Sequence, residues 1–286
     1  MEIAGIEAIT PDFYKNKDLG IVVKAGGAHP FRTIDEIFVA NGETVARLDG
    51  GHAKFAELLP TMLKDAATIT TEDSKLLLEV TGDARPGTMP LFTADGEPRI
   101  WDLTLMAYLA DPTRTNYGIS YLTERFSAPT VPATGDANES AATAKALLTM
   151  QSVAQEVLKD NGLWDLYKTI ELPLVHTLLV MEKNGIYIDK AALEETQTRF
   201  EAEANELRDA IYKEAGEEFN INSPKQLGVI LFEKINLPVL KKTKTGYSTN
   251  AEVLDMLRND HPIIELILKY RTVVKLISTY LEGLKR

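Results

Sequence analysis

Two long stretches carry apolar residues seven positions apart, and they restrict the fold more than anything else in the chain. Within Lys190–Ala215, Leu193, Phe200 and Leu207 keep this spacing, Ala204 and Ile211 fill the same stripe, and Gly216 follows as a stop. From Pro262 onward Ile267, Val274 and Leu281 repeat it, joined by Tyr270, Ile277 and Leu284. A narrow stripe at this spacing buries one helix face against a partner of the same kind, so the two helices are expected to pack as an antiparallel pair. The segment between them then becomes the tip of a hairpin.

That tip reads EEFNINSPKQLGVILFEKINLPVLKKTKTGYSTNAEVLDML. Ser223-Pro224 is a helix start, a hydroxyl cap followed by proline at the first helical position. Thr249, with Glu252 three residues on, has the spacing of a capping box that would open a second short helix. Between the two starts lies a polar, basic loop, Lys241-Lys242-Thr243-Lys244-Thr245-Gly246-Tyr247-Ser248. Lysine point charges, free backbone N–H groups and short hydroxyl or amide side chains suit a phosphate backbone and read no base sequence. The plainer alternative is that every helix needs a cap and every exposed tip carries solvated residues. Charge bears on the choice. Residues 221–286 hold eleven Lys or Arg against six Asp or Glu, a balance of +5 in a chain whose net charge is −11. A polyanion would meet the C-terminal quarter and avoid the rest.

The front of the chain mixes the two periodicities. Gly20–Val23, Glu36–Val39 and Thr44–Leu48 read as strands, with Asn41-Gly42 as a hairpin turn. Ala53–Leu63 reads as a helix, Ala67–Thr70 as a strand, Leu76–Val80 as a helix, and Trp101–Leu109 as a helix ended by Asp111-Pro112. Residues 127–139, SAPTVPATGDANE, form a loop or linker. Helical patterns then cover about 140–160 and 164–183, the second stopped by Asn184-Gly185. The fold class expected is an α/β mixed-sheet unit followed by an all-α hairpin.

Several function classes drop out. No cysteine is present, which excludes disulfides and thiolate metal sites. No uninterrupted apolar run reaches a membrane-spanning length of about 18 residues, and the N-terminus lacks the pattern of a signal peptide, so a cytoplasmic location is expected. His29, His52, His176 and His261 have no metal-ligand spacing. Neither a Walker-type phosphate loop nor a GxSxG nucleophile elbow occurs.

The run FNINSPKQLGVILFEKINLPVLKKTKTGYSTNAEVL closely resembles the thumb of family-A bacterial DNA polymerases I. IELPLVHTLLVMEKNGIYID, from Ile170 to Asp189, resembles the family's entry into the thumb, and ILKYRTVVKLISTYLEGL, from Ile267 to Leu284, its second long helix; together they cover about 115 contiguous residues. The resemblance implies a primer–template DNA duplex as partner, gripped through Asn220, Asn222, Ser223 and Lys225. Lys241, Lys242, Thr243, Lys244, Thr245, Tyr247, Ser248 and Thr249 would make the other contacts. Arg271, Lys275 and Ser278 on the last helix join them as lesser candidates, surface salt bridging being the alternative. The palm carboxylates and fingers cations of the family lie C-terminal to its thumb. The chain is accordingly expected to be a fragment, a monomer, with no catalytic residue and no cofactor of its own, although the parent polymerase would use Mg²⁺.

In that family the domain before the thumb has a ribonuclease H-like 3′–5′ proofreading exonuclease fold. WDLTLMAYLADP, Trp101–Pro112, and TEDSK, Thr71–Lys75, resemble segments of it. A working site needs about four carboxylates around two metals. The strand that should carry a D-x-E pair reads Gly20-Ile21-Val22-Val23-Lys24-Ala25-Gly26, with a lysine and no acid. Asp73 is the vestigial second position and is better read as a helix cap; Asp102 has the same reading. Near Asn138–Ala142 only Glu139 is acidic. The expectation is a silent exonuclease-like domain over 1–165 and a thumb over 166–286. An active metal-dependent 3′–5′ exonuclease and a structural module that binds no DNA are the two alternatives.

Overall fold

The structure, a computed structural model, describes residues 2–82, 90–243 and 246–285. It divides into two compact units, Met1–Gly185 and Ile186–Arg286.

The first unit contains β1 (Ile3–Gly5), α1 (Pro11–Tyr14), β2 (Asp18–Gly26), β3 (Thr33–Ala40), β4 (Val45–Asp49), α2 (Phe55–Asp65) and β5 (Thr68–Thr71). It continues with α3 (Ser74–Val80), β6 (Ile100–Asp102), α4 (Leu103–Ala110), α5 (Ile119–Arg125), α6 (Ala137–Asp160), α7 (Trp164–Leu166) and α8 (Leu172–Asn184). The six strands form one mixed sheet in the order β1-β4-β3-β2-β5-β6. Strands β2, β3 and β4 make an antiparallel meander, and β5 and β6 extend it in parallel beyond β2. The turn from β3 to β4 is the one the Asn41-Gly42 pair predicts. Asn41 Oδ1 accepts from the Glu43 and Thr44 amides at 3.1 and 3.0 Å, and Gly42 takes φ +91°.

Both faces of the sheet are covered, because successive strand residues point to opposite sides. Leu19, Ile21, Ile37 and Val39 pack with Leu59 and Met62 of α2 and Leu77 of α3. Val22, Phe38 and Ala40 pack with Met106 of α4 and with Ala144, Leu147 and Met150 of α6. Helix α6 lies directly on β2 at Gly20, where an added Cβ would collide with the Ala144 carbonyl oxygen. Trp101, Trp164 and Tyr167 stack in series on this side, with ring centroids 5.5 and 5.6 Å apart.

Two differences from the sequence reading have physical causes. The helix expected over Trp101–Leu109 begins only at Leu103, and Ile100–Asp102 is an edge strand paired with Ile69–Thr71. The compact units divide at Gly185, twenty residues beyond the expected boundary at 165/166. Tyr167 and Leu172 belong to the core on one face of the sheet, and Val175 and Leu179 to the core on the other. Glu182 is held by Lys75 at 2.8 Å and by His29 at 3.0 Å. The winding from α7 to α8 widens over Tyr167–Glu171, just before Pro173, whose missing N–H deprives Thr169 of an ordinary helical donor.

The second unit holds α9 (Lys190–Ala215), α10 (Pro224–Val229), β7 (Lys242–Thr243), β8 (Gly246–Tyr247), α11 (Ala251–Met256), α12 (Pro262–Lys275) and α13 (Glu282–Leu284). Helix α9 has the expected bounds, capped by Asp189 and ended by a left-handed Gly216. It packs along α12, and Ile211 near its end shares a core with Ile263 and Ile267 at the start of α12. Leu227, Leu231, Val253 and Leu254 complete that core. The unit is not all helical, as β7 and β8 form a small antiparallel hairpin at the tip.

Candidate nucleic-acid interface

The tip between α9 and α12 is built from two capped turns and the β7–β8 hairpin. At the first turn Ser223 caps α10, its Oγ accepting from the Gln226 amide at 3.4 Å. Gln226 Oε1 accepts from the Asn220 amide at 2.7 Å, and Asn220 Oδ1 accepts from Asn222 at 3.0 Å. Gln226, three residues after Ser223, was the signal in S-P-K-Q that the sequence reading passed over; here its side chain reaches past the cap to fix the approach of the chain.

At the second turn the cap is Asn250, not Thr249. Asn250 Oδ1 accepts from the Val253 amide at 3.1 Å. The Thr249–Glu252 spacing was one residue early, because Asn competes with Thr as a cap and stands next to it. Thr249 and Ser248 are instead buried. The Ser248 amide donates to the Lys241 carbonyl at 3.1 Å, and its hydroxyl lies 3.3 Å from Asn250 Oδ1. Arg271 donates to the Thr249 carbonyl and, at 3.4 Å, to its Oγ1.

Tyr247 is half-buried and fastens the hairpin to α10. Its ring packs 5.1 Å from that of Phe232. A Cβ at Gly228 would stand 3.2 Å from Tyr247 Cβ, so only glycine there leaves the tyrosine its full room. Lys242 Nζ sits 5.7 Å from the centre of the same ring.

These elements enclose an open groove of about 940 Å³. Of the residues singled out from sequence, Asn222, Ser223, Lys225, Tyr247, Ser248, Thr249 and Arg271 line it, together with Asn250 and Glu233, which sequence reasoning missed. Asn220, Lys241 and Lys242 are exposed beside these turns without lining the groove. Lys275 and Ser278 are exposed on the last helix, away from the groove lining, and the Ser278 hydroxyl donates to the Val274 carbonyl at 2.9 Å. Lys244, Thr245 and the side chain of Thr243 lie outside the described residues. Among the described residues, Lys225, Lys241, Lys242 and Lys275 have no carboxylate partner, whereas Lys234 and Lys269 are paired with Glu217 and Glu265.

Residues 190–286, which contain this entire tip, match the model of DNA polymerase family A. DNA polymerase I of Bacillus subtilis (strain 168) is 49% identical over 140 residues, 48% of this chain and 16% of that protein. DNA polymerase I of Caldicellulosiruptor bescii is 40% identical over 183 residues, 64% of this chain and 21% of that protein. Over these stretches the chain is similar to DNA polymerase I. Both alignments are longer than the second unit, so the relationship reaches into the first. The chain spans about a sixth to a fifth of the length of these DNA polymerase I relatives. A solved structure of the POL domain of Pol1 from M. smegmatis, in complex with DNA primer-template and dNTP, shares the fold. Its TM-score is 0.76 at 24% identity, over 96% of this chain and 47% of that one.

The relationship to DNA polymerase I directs attention to a second cluster, at the strand ends of the first unit. The parallel strands β2, β5 and β6 bring Lys24, Glu72, Asp73 and Asp102 toward the same end of the sheet. Asp73 is exposed and its Oδ1 accepts from the Leu76 amide at 2.9 Å, capping α3. Asp102 is buried. Its Oδ2 accepts from the Ser74 hydroxyl and amide at 2.7 and 2.8 Å, and its Oδ1 from the Leu105 amide at 2.8 Å. Burial pushes the Asp102 carboxyl up to about 6, against those hydrogen bonds. Burial also raises Glu72, opposed by the nearby positive charge of Lys24. Asp102 was expected to be a cap, which it is for α4, but it also ties β6 to α3. Among the described residues no three acids or histidines converge as a metal site would require.

Proposed function

We propose that this chain is the part of a DNA polymerase I that grips primer–template duplex, with the second unit serving as the thumb. The observation that carries the reading is the basic tip. Four lysines there and on the neighbouring helix lack carboxylate partners among the described residues. Polar Asn222 and Ser223 line the groove beside Lys225. Such an arrangement neutralises phosphates and positions a duplex without reading its sequence. The 190–286 match to DNA polymerase family A supports the same assignment. In the parent enzyme the functions would be DNA synthesis in replication and repair; no residue of this chain is assigned to phosphoryl transfer, which would use Mg²⁺ held by other groups.

The first unit, on the same reading, has the ribonuclease H-like fold of a proofreading exonuclease and does not cleave. The sheet supports it, with an antiparallel meander extended in parallel by two strands on the β2 side. The residues at the strand ends do not fit a metal pair. Lys24 stands on β2 where an acid is needed, Asp73 is engaged as a cap, and all three donors around Asp102 are structural.

Fluorescence anisotropy with a primer–template duplex tests the first claim. Binding that weakens steeply with salt and drops in Lys241→Ala/Lys242→Ala is expected; no binding at low salt would sink it. A 3′-labelled single strand with Mg²⁺ or Mn²⁺ tests the second. Shortening of the strand that disappears in Asp73→Ala would instead establish a working nuclease.

A further inference from the structure

We infer that Arg271 is a positioning residue for the DNA grip, anchoring the second turn of the tip rather than neutralising a phosphate itself. The inference rests on the thumb reading above and assigns Arg271 a different part in it from Lys241 and Lys242.

Arg271 is half-buried on α12 at the wall of the groove. Its two terminal nitrogens converge on one residue, one donating to the Thr249 carbonyl and the other to Thr249 Oγ1 at 3.4 Å. A planar guanidinium suits this forked contact, which an ammonium cannot reproduce. Thr249 is itself buried and has a neighbour with a structural task on each side. Ser248 before it closes onto the Lys241 carbonyl, at the foot of β7, and Asn250 after it caps α11. A single arginine therefore holds the junction from which both the lysine-bearing hairpin and α11 depart. Among the described residues the hairpin is also tied by its two-residue ladder and by the packing of Tyr247 on Phe232 and Gly228. Burial lowers the pKa of Arg271, and a guanidinium, unlike an ammonium, stays charged inside a protein.

The two roles separate on salt dependence. Each phosphate neutralised contributes about 0.9 to the slope of log K against log salt. Arg271→Gln and Arg271→Lys should both weaken duplex binding about tenfold at fixed salt. In each the slope should stay close to that of the unchanged protein, whereas Lys241→Ala should lower it by about one. A slope that drops by about one in Arg271→Gln, or full recovery of affinity in Arg271→Lys, would overturn the inference and make Arg271 a phosphate contact. A measurement without DNA keeps the two proposals apart. In the free protein, hydrogen exchange at the Ser248 and Val253 amides should speed up at least tenfold in Arg271→Lys and stay unchanged in Lys269→Ala, a control on the same helix. Unchanged exchange in Arg271→Lys overturns the anchoring role even if DNA binds. Faster exchange in a protein that binds no duplex upholds the anchor and rejects the thumb.

Discussion

The strand ends of the first unit and the tip of the second both gather charged side chains at the ends of regular elements, yet they use them in opposite ways. At the strand ends the hydrogen bonds turn inward: Asp73 caps α3, Asp102 joins β6 to α3 and α4, and Lys24 offsets Glu72. At the tip the bonds that shape the backbone come from neutral groups, Ser223, Gln226 and Asn250, with Arg271 as a charged anchor. Lys225, Lys241 and Lys242 are left exposed and, among the described residues, without carboxylate partners. A carboxylate whose lone pairs are taken up by the fold has few left to hold a metal, so the difference in hydrogen bonding is a difference in what each place can do. Substitutions should accordingly damage folding in the first unit and binding at the tip.

The largest effect is expected at Gly20. A methyl group there meets the Ala144 carbonyl of α6, which is backbone within a 24-residue helix and cannot swing aside. Gly20→Ala should cost about 3 kcal/mol, at the upper end of ordinary overpacking, read as a loss of urea midpoint. A cost below about 1 kcal/mol would show that α6 is free to shift and that the first unit is less tightly set than its packing implies.

Next comes Lys241→Ala/Lys242→Ala. With about 0.9 of slope per phosphate contact, two lost contacts at 0.1 M salt lower duplex affinity by roughly 60-fold and the slope by about two. Thermal unfolding should hardly change, since neither lysine has a carboxylate partner among the described residues. A double variant that unfolds earlier but binds DNA as before would reverse the comparison.

Asp102 supplies a pH test in the first unit. Its carboxyl titrates near 6 when folded, against an ordinary value of 3.8. The folded protein thus holds that proton more tightly, and the stability it gives is fully present below about 4 and lost as pH rises through 6. Between pH 4.5 and 7.5 the unchanged protein should lose roughly 2 kcal/mol relative to Asp102→Asn. Parallel stability curves for the two proteins would show that Asp102 is ionised throughout and open to water. That would return it to the set of groups available for a ligand.

How far these roles can be read from sequence depends on how local their causes are. Lys190–Ala215 with Gly216, the Asn41-Gly42 turn and the Ser223-Pro224 cap are each set by neighbours within a few residues, and their signals are plain. The strand Ile100–Asp102 is too short to show an alternation, and its residues merge into the apolar run of α4. The choice of Asn250 over Thr249 turns on a difference of one position between two good capping residues. Arg271 gave no signal of its anchoring role, because Thr249 lies 22 residues away and only the return of α12 brings them together. Burial of Ser248 and Thr249, both named as contacts, has the same non-local origin.

Ser223 is where fold and binding meet in one side chain, and it gives the smallest but most selective test. It caps α10 and also lines the groove. Ser223→Ala should cost about 1 kcal/mol of stability through the lost cap, and a matching loss of DNA affinity could come from either role. Ser223→Asp separates them. Aspartate caps as well as serine, so stability should stay within about 0.5 kcal/mol. A carboxylate facing a phosphate backbone should still weaken duplex binding several-fold, and less so as salt rises. If Ser223→Asp binds duplex as well as the unchanged protein, the backbone does not pass over this turn. The contact surface would then have to be confined to Lys241, Lys242 and the hairpin that carries them.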